Sequence, residues 1–290
     1  MEQRSARIGG LAQVALTAVP ADTPKGAPLA LLLHGFPDGP QSFAPVAEAL
    51  LARGHAVLAP WLRGYPPSAP SPRGDYQLAT LAEDARGWLD ELGAEQALVI
   101  GHDWGAAIGY ALCALAPERV RGLVALSVPP PRTFLRNLAR HPRQLLRSRY
   151  MLRFQAPGLA RRTLRPGWVE RTWRAWSPGW APPLERVSEV ERSLTAPGAL
   201  EAALSYYRGL AGDLLRSPAG WGRSWELSGR PLEVPARLLV GSRDACIAPA
   251  AFEGAEQAFA GSVRLEVVSG VGHFLPLEAP EVVTQAALEL

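Results

Sequence analysis

The residue best suited to chemistry in this sequence is Asp103, within the stretch Leu98 to Gly105. An apolar run ends at Gly101 and small helix-forming residues follow Gly105, a pattern that predicts a strand, a sharp turn and a helix. Glycines on both sides let strand and helix approach closely, as in turns that present a nucleophile. A helix N-terminus favours an ionised carboxylate. For this stretch alone, the alternative is an ordinary turn with an N-capping aspartate.

Two further polar residues follow predicted strands. Asp244 comes after the apolar run 237–241, and His273 comes after the run 263–268. Nucleophilic catalysis requires an exposed nucleophile, a base, and a carboxylate that fixes the tautomer of the base. With Asp103, these residues supply the three groups in the order nucleophile, acid, histidine. Each has an ordinary explanation by itself, as a turn aspartate or a loop histidine, but together they predict one catalytic site.

The elements that must position these residues alternate between strands and helices. After two short antiparallel strands within 6–19, the predicted strands cover 29–33, 55–60, 98–100, 120–126, 237–241 and 263–268. The predicted helices cover 42–53, 78–92, 106–116, 250–259 and 280–290. This alternation predicts an α/β fold with a doubly wound, mostly parallel sheet. Since the site of such a sheet lies beyond the carboxyl ends of its strands, the three residues should converge there.

Residues 132 to about 218 depart from this alternation. They contain no clear buried-strand run, but several arginine-rich helical stretches and four tryptophans between Trp168 and Trp180. This pattern predicts a helical insertion over the strand ends. Within 132–174 there are twelve arginines and one acidic residue, Glu170. We interpret these arginines as a solvated helical face, with a nucleic-acid or membrane-surface contact as the alternative.

The composition fits one α/β domain with an insertion. The chain has 290 residues, 48% of them hydrophobic, and its net charge of +3 gives no reason to expect a nucleic-acid partner. Two cysteines, Cys113 and Cys246, indicate no disulfide framework and predict a cytoplasmic location. We expect no secretory signal and no membrane span, because no apolar run reaches about 18 residues. His34 and His102 lack metal-ligand spacing, so neither a metal nor another cofactor is expected.

Over nearly its whole length the sequence resembles the epoxide hydrolases of the α/β-hydrolase superfamily. The resemblance rests on His34-Gly35-Phe36-Pro37, Gly101-His102-Asp103-Trp104-Gly105-Ala106, Asp244 and Gly272-His273-Phe274. In the insertion it rests on Tyr150 with Phe154-Gln155-Ala156-Pro157-Gly158, and on Ser205-Tyr206-Tyr207-Arg208. It implies the α/β-hydrolase fold, with a core of residues 1–129 and 219–290 and a helical cap of residues 130–218.

The resemblance also implies a mechanism in two steps. Asp103 attacks an epoxide carbon and forms a glycol ester, while Tyr150 and Tyr207 hold and protonate the epoxide oxygen. His273, oriented by Asp244, then activates water to attack the ester carbonyl. The implied partners are a small apolar epoxide and water. For the oligomeric state, the expectation includes a homodimer.

An oxyanion hole is implied as well, formed by the backbone N–H groups of Phe36 and Trp104. One such donor is commonly worth about 2.7–4 kcal/mol. An aspartate suits attack at an sp3 carbon, because the resulting ester can be hydrolysed at its own carbonyl.

Three alternatives remain at this point. A haloalkane dehalogenase would use the same Asp103, Asp244 and His273, with Trp104 as one halide donor, but would not require the paired tyrosines. A fluoroacetate dehalogenase is the second alternative. These enzymes also resemble this chain, but they carry arginine at the position of Trp104, which argues against it. A ligand-binding protein without catalysis is the third alternative, because a fold does not fix a function.

Overall fold

In the computed structural model, which describes residues 1–19, 27–156, 165–215 and 222–290, eight strands form one sheet. The strands are β1 (Glu2–Ile8), β2 (Leu11–Ala18), β3 (Leu29–Leu33), β4 (Ala56–Pro60), β5 (Ala97–His102), β6 (Val120–Leu126), β7 (Ala236–Gly241) and β8 (Val263–Val268). Their order across the sheet is β1-β2-β4-β3-β5-β6-β7-β8. The pairs β1–β2 and β2–β4 are antiparallel and the others are parallel. The predicted α/β fold with a mostly parallel sheet is confirmed.

Some of the described helices pack on the sheet, and others belong to the chain segment that connects β6 to β7. They are α1 (Ala44–Leu51), α2 (Leu78–Glu91), α3 (Trp104–Leu115), α4 (Pro131–Arg140), α5 (Pro142–Arg147), α6 (Arg149–Phe154), α7 (Trp168–Trp176), α8 (Leu184–Thr195), α9 (Ala199–Leu215), α10 (Arg223–Ser228), α11 (Leu275–Glu278) and α12 (Pro280–Leu288). Helix α3 packs on β5 and β6, and helices α4 to α9 form the insertion in the chain between β6 and β7. The domain boundaries at 129/130 and 218/219 stay a prediction, and the second boundary lies outside the described residues.

The centre of the sheet is buried on both faces. Every residue of β3, which reads Leu-Ala-Leu-Leu-Leu, is buried, as expected for a parallel strand covered by helices. Helix α3 comes so close to this strand that a Cβ added at Gly105 would lie 1.9 Å from the carbonyl oxygen of Leu33. A Cβ at Gly101 would lie 2.2 Å from the carbonyl oxygen of Gly105. Both glycines of the turn are therefore required by backbone packing.

Two predicted helices differ from the structure. The helix predicted over 250–259 is wrong, because this segment forms two 3-10 turns, Pro249–Phe252 and Ala255–Ala258. Between them Gly254 adopts the left-handed conformation, with φ of 69°, which ends a helix. The helix predicted from Ser42 begins later, at Ala44. The Ser42 hydroxyl lies in a 3-10 turn and donates to the Asp38 carboxylate instead of capping the helix.

Candidate active site

Asp103 lies at the tip of the turn between β5 and α3. Its backbone has a conformation that residues other than glycine seldom adopt. Its φ is 53° and its ψ is −115°. Its N–H donates to the carbonyl of Leu126, and its carbonyl accepts from the N–H groups of Ala106 and Ala107. Such strain typically costs about 1–3 kcal/mol and persists only where the surroundings fix it. The turn thus holds the carboxylate at the carboxyl ends of the central strands, as predicted.

The two carboxylate oxygens of Asp103 have different neighbours. The backbone N–H of Phe36, in the loop after β3, donates to Oδ1 at 2.9 Å. The Nε2 atom of His273 lies 3.7 Å from Oδ2, which is too far for a hydrogen bond. The structure therefore brings Phe36 to Asp103 as the sequence predicted. The role of the Trp104 N–H as a second oxyanion donor stays a prediction.

His273 is anchored by Asp244. The Nδ1–H of the ring donates to Oδ2 of Asp244 at 2.7 Å, and both side chains are buried. The other oxygen, Oδ1, accepts from the N–H groups of Cys246 and Ile247, each at 2.8 Å. Here the Nδ1 proton is assigned from this bond to Asp244. The second ring nitrogen, Nε2, faces Asp103 and has no hydrogen-bond partner among the described residues.

The charges of these three residues depend on one another. Burial by itself lowers the pKa of His273, but the carboxylates of Asp244 and Asp103 outweigh it and raise that pKa to about 10. Burial by itself raises the pKa of Asp103, but the nearby His273 ring and the Phe36 N–H hold that pKa below its usual value. Asp103 is therefore ionised at neutral pH, which a carboxylate nucleophile requires.

Tyr150 on α6 and Tyr207 on α9 line the same pocket as Asp103. Their ring centroids are 5.9 Å apart, with the rings edge to face. The Tyr207 hydroxyl has no hydrogen-bond partner among the described residues, whereas the Tyr150 hydroxyl lies 3.4 Å from Sγ of Cys246. The remaining lining is largely apolar and comes from both the sheet side and the insertion, with Leu78, Val128, Phe134, Met151 and Ile247 among its members.

Tyr206, the neighbour of Tyr207, faces away from this pocket. Its hydroxyl donates to the carbonyl of Arg63 at 2.8 Å, and its side chain is fully buried. Consecutive residues of a helix point in different directions, so only one of these two tyrosines can reach Asp103. The structure places Tyr207 there. Of the segment that follows Tyr150, Pro157 and Gly158 lie outside the described residues.

The sequence matches the α/β hydrolase fold family over residues 28–280. It is 32% identical to Epoxide hydrolase A of Mycobacterium tuberculosis, with 95% of this chain and 94% of the relative covered. The chain belongs to the α/β-hydrolase family. This hydrolase is also 32% identical to the AB hydrolase superfamily protein YfhM of Bacillus subtilis, over 90% of this chain and 89% of that protein.

A solved structure of an epoxide hydrolase is also similar to this hydrolase. The crystal structure of Epoxide Hydrolase A from Mycobacterium thermoresistibile superposes on it with a TM-score of 0.82. The two chains are 28% identical, and the match covers 99% of this chain and 97% of the other. The resemblance inferred from the motifs, to the epoxide hydrolases of the α/β-hydrolase superfamily, is confirmed.

The structure also shows residues of this hydrolase that the sequence analysis missed. Asp38 is buried beside the Phe36 loop, and burial raises its pKa to about 6 although Arg186 of α8 lies 3.7 Å away and opposes the rise. Trp173 of α7 donates from its indole N–H to the carbonyl of Pro37 at 2.9 Å. The insertion therefore contacts the loop that supplies the Phe36 N–H. In the sequence, the position of Asp38 directly after Pro37 could have indicated that it lies near the site.

Two histidines near the site have structural partners. His34 Nε2 accepts from the N–H of Leu62 at 3.1 Å, and His102 Nε2 lies 2.8 Å from the carbonyl oxygen of His273. Burial lowers the pKa of His34 to about 4 and that of His102 to about 3, so both rings are neutral. His102 thus supports the backbone of the histidine that faces Asp103.

In the described part of this hydrolase, no helix has the length and apolar character needed to cross a membrane. His, Cys, Asp and Glu side chains form no metal-binding group within the same residues. The cytoplasmic location, the homodimer and the absence of a cofactor stay predictions.

Proposed function

We propose that this protein hydrolyses an epoxide to a vicinal diol through a covalent ester on Asp103. The observation that carries the proposal is the shared pocket of Asp103, Tyr150 and Tyr207. It combines an ionised carboxylate with two phenols that can donate to an oxygen. The relatives named epoxide hydrolases support the same reaction.

In the first step, Oδ2 of Asp103 attacks one carbon of the epoxide. The bond between that carbon and the epoxide oxygen breaks, and its electron pair goes to the oxygen. Tyr150 and Tyr207 donate hydrogen bonds to this oxygen, and one of them transfers its proton to it. Burial raises the pKa of both tyrosines well above the usual value, so both phenols carry their protons at neutral pH.

In the second step, water attacks the carbonyl carbon of the ester. His273 takes a proton from the water through Nε2, and Asp244 stabilises the charged ring. The oxyanion forms at the oxygen that the Phe36 N–H already contacts, with the Trp104 N–H as the proposed second donor. Collapse releases the diol oxygen, which takes the proton from His273. The carboxyl group of Asp103 then loses its proton to the phenolate, which completes the cycle.

The charge on Asp103 controls when His273 becomes a base. While Asp103 is ionised, its charge helps to raise the pKa of His273. Formation of the ester removes that charge, so the pKa of His273 falls and the ring releases its Nε2 proton to solvent, from which it takes one back when Asp103 is ionised again at the end of the cycle. The base is therefore activated after the ester has formed.

The pocket favours an apolar epoxide. Asp103 is the one side chain that is charged at neutral pH among its described lining residues, and the others are mainly aliphatic or aromatic. Helices of the insertion close the pocket over the nucleophile, so we assign residues 130–218 as a cap and residues 1–129 and 219–290 as the core. A dry pocket strengthens the hydrogen bonds to the epoxide oxygen.

A substrate panel tests the proposal. The purified protein is incubated with aryl and alkyl epoxides and, separately, with haloalkanes and fluoroacetate, and diol and halide are measured. We expect diol from apolar epoxides. Halide release without diol would replace the proposal with the dehalogenase alternative, and binding without any product would favour a ligand-binding protein.

A further inference from the structure

The Tyr150 hydroxyl lies 3.4 Å from the thiol sulfur of Cys246, which is a hydrogen-bonding distance for sulfur. Cys246 is fully buried and stands two residues after Asp244, in the loop that follows β7. One short loop therefore carries both the carboxylate that anchors His273 and a thiol that contacts a pocket tyrosine.

This loop is hydrogen-bonded to α5, the helix directly before the one that carries Tyr150. Gln144 of α5, which is 2% exposed, donates from Nε2 to the carbonyl of Cys246 at 2.9 Å. Its Oε1 accepts from the N–H of Ala248 at 2.9 Å. Arg147 donates to the carbonyl of Asp244 at 3.0 Å. Together with the N–H of Cys246 on Asp244 Oδ1, these bonds fix the thiol relative to Tyr150.

The thiol and the phenol are both protonated at neutral pH. Burial raises the pKa of Cys246 and of Tyr150 well above their usual values. Either group can then donate to the other. A thiol that stays protonated is also a poor nucleophile, so Cys246 does not compete with Asp103 for the epoxide.

We propose that Cys246 is a positioning residue, whose thiol aims the Tyr150 hydroxyl and donates to its oxygen during ring opening. The inference rests on the proposed function. When the O–H bond of Tyr150 breaks and the proton passes to the epoxide oxygen, the phenolate can only accept hydrogen bonds. The S–H bond stays intact and donates to that phenolate, until Tyr150 regains a proton from the Asp103 carboxyl group.

The experiment measures ring opening separately from ester hydrolysis. In the His273→Gln background, the rate of ester formation with an apolar epoxide is followed by intact-protein mass. Cys246→Val, which keeps an apolar side chain but removes the donor, should slow ester formation about tenfold. Cys246→Ser, which keeps a donor, should stay within about threefold of the parent. Cys113→Ala, at the other buried cysteine, is the matched control and should leave the rate unchanged.

A double-mutant cycle separates this role from packing. In a Tyr150→Phe background, Cys246→Val should cause no further slowing, because the bond to the hydroxyl is already lost. Equal slowing in both backgrounds, or a parental rate for Cys246→Val, would overturn the inference and leave the proposed function intact. Cys246→Ala replaces the valine variant if the latter does not fold. Absence of any ester in His273→Gln itself would overturn the proposed function, and the role of Cys246 with it.

Discussion

His273 Nδ1 is bonded to Asp244 at 2.7 Å, while Nε2 of the same ring lies 3.7 Å from Asp103. The histidine is thus tied to one carboxylate and faces the other without bonding to it. In the proposed mechanism Oδ2 of Asp103 stays available for attack, and Nε2, which has no hydrogen-bond partner among the described residues, can take a proton from water. The proposed mechanism requires this asymmetry, because Asp103 attacks in the first step and His273 acts as the base in the second.

His273→Gln should stop the reaction at the ester. Glutamine cannot act as the base, but Asp103 remains able to attack, so intact-protein mass should rise by the mass of the epoxide. Asp103→Ala, mixed with the same epoxide, should show neither the mass increase nor diol. A mass increase that persists in Asp103→Ala would place the nucleophile elsewhere.

Removing the phenols should slow ring opening. Tyr150→Phe and Tyr207→Phe should each reduce the rate of ester formation, and the double variant should reduce it by about 10²–10⁴-fold, the usual size of general-acid catalysis. The rate is measured in a single turnover with enzyme in excess.

Tyr206→Phe provides the matched control for those variants. It loses the hydrogen bond to the Arg63 carbonyl and about 1 kcal/mol of stability, but no phenol from the pocket. Its rate of ester formation should equal that of the wild type. A double phenylalanine variant that kept the wild-type rate would remove both tyrosines from the mechanism.

The raised pKa of His273 makes stability depend on pH. The folded-state pKa of about 10 exceeds the ordinary value of 6.5, so the protonated ring stabilises the folded protein. This contribution is complete below the unfolded pKa and is lost as pH rises through the folded value. Between about pH 7 and about pH 10, the wild type should therefore lose more free energy of unfolding than His273→Gln. Denaturant unfolding of both proteins at the two pH values measures the difference, and equal losses would contradict the raised pKa.

Gly105→Ala should destabilise the fold. The new Cβ would lie 1.9 Å from the Leu33 carbonyl oxygen, so strand and helix would have to separate, at a cost of more than about 2 kcal/mol. Gly39→Ala is the control, because Gly39 has a φ of −153° and its added Cβ would meet first the flexible end of Gln41. Comparable melting temperatures for the two variants would show that the turn tolerates a side chain.

The sequence predicted the parallel sheet and the turn at Asp103 because both depend on local patterns. A fully apolar run such as 29–33 fits a strand covered on two faces, and glycines around one aspartate fit a tight strand-to-helix turn. It failed over 250–259, where apolar and helix-forming residues suggested one helix. There the conformation of Gly254 decided for two 3-10 turns.

The sequence by itself determined which residues stand at strand ends, and therefore that Asp103, Asp244 and His273 would meet. Strand ends converge by topology, whatever the side chains do. Only the tertiary structure decided which oxygen of Asp103 faces Phe36 and that Cys246 contacts Tyr150. These contacts join segments far apart in the chain, and their geometry is set by how the insertion packs on the sheet rather than by any local pattern.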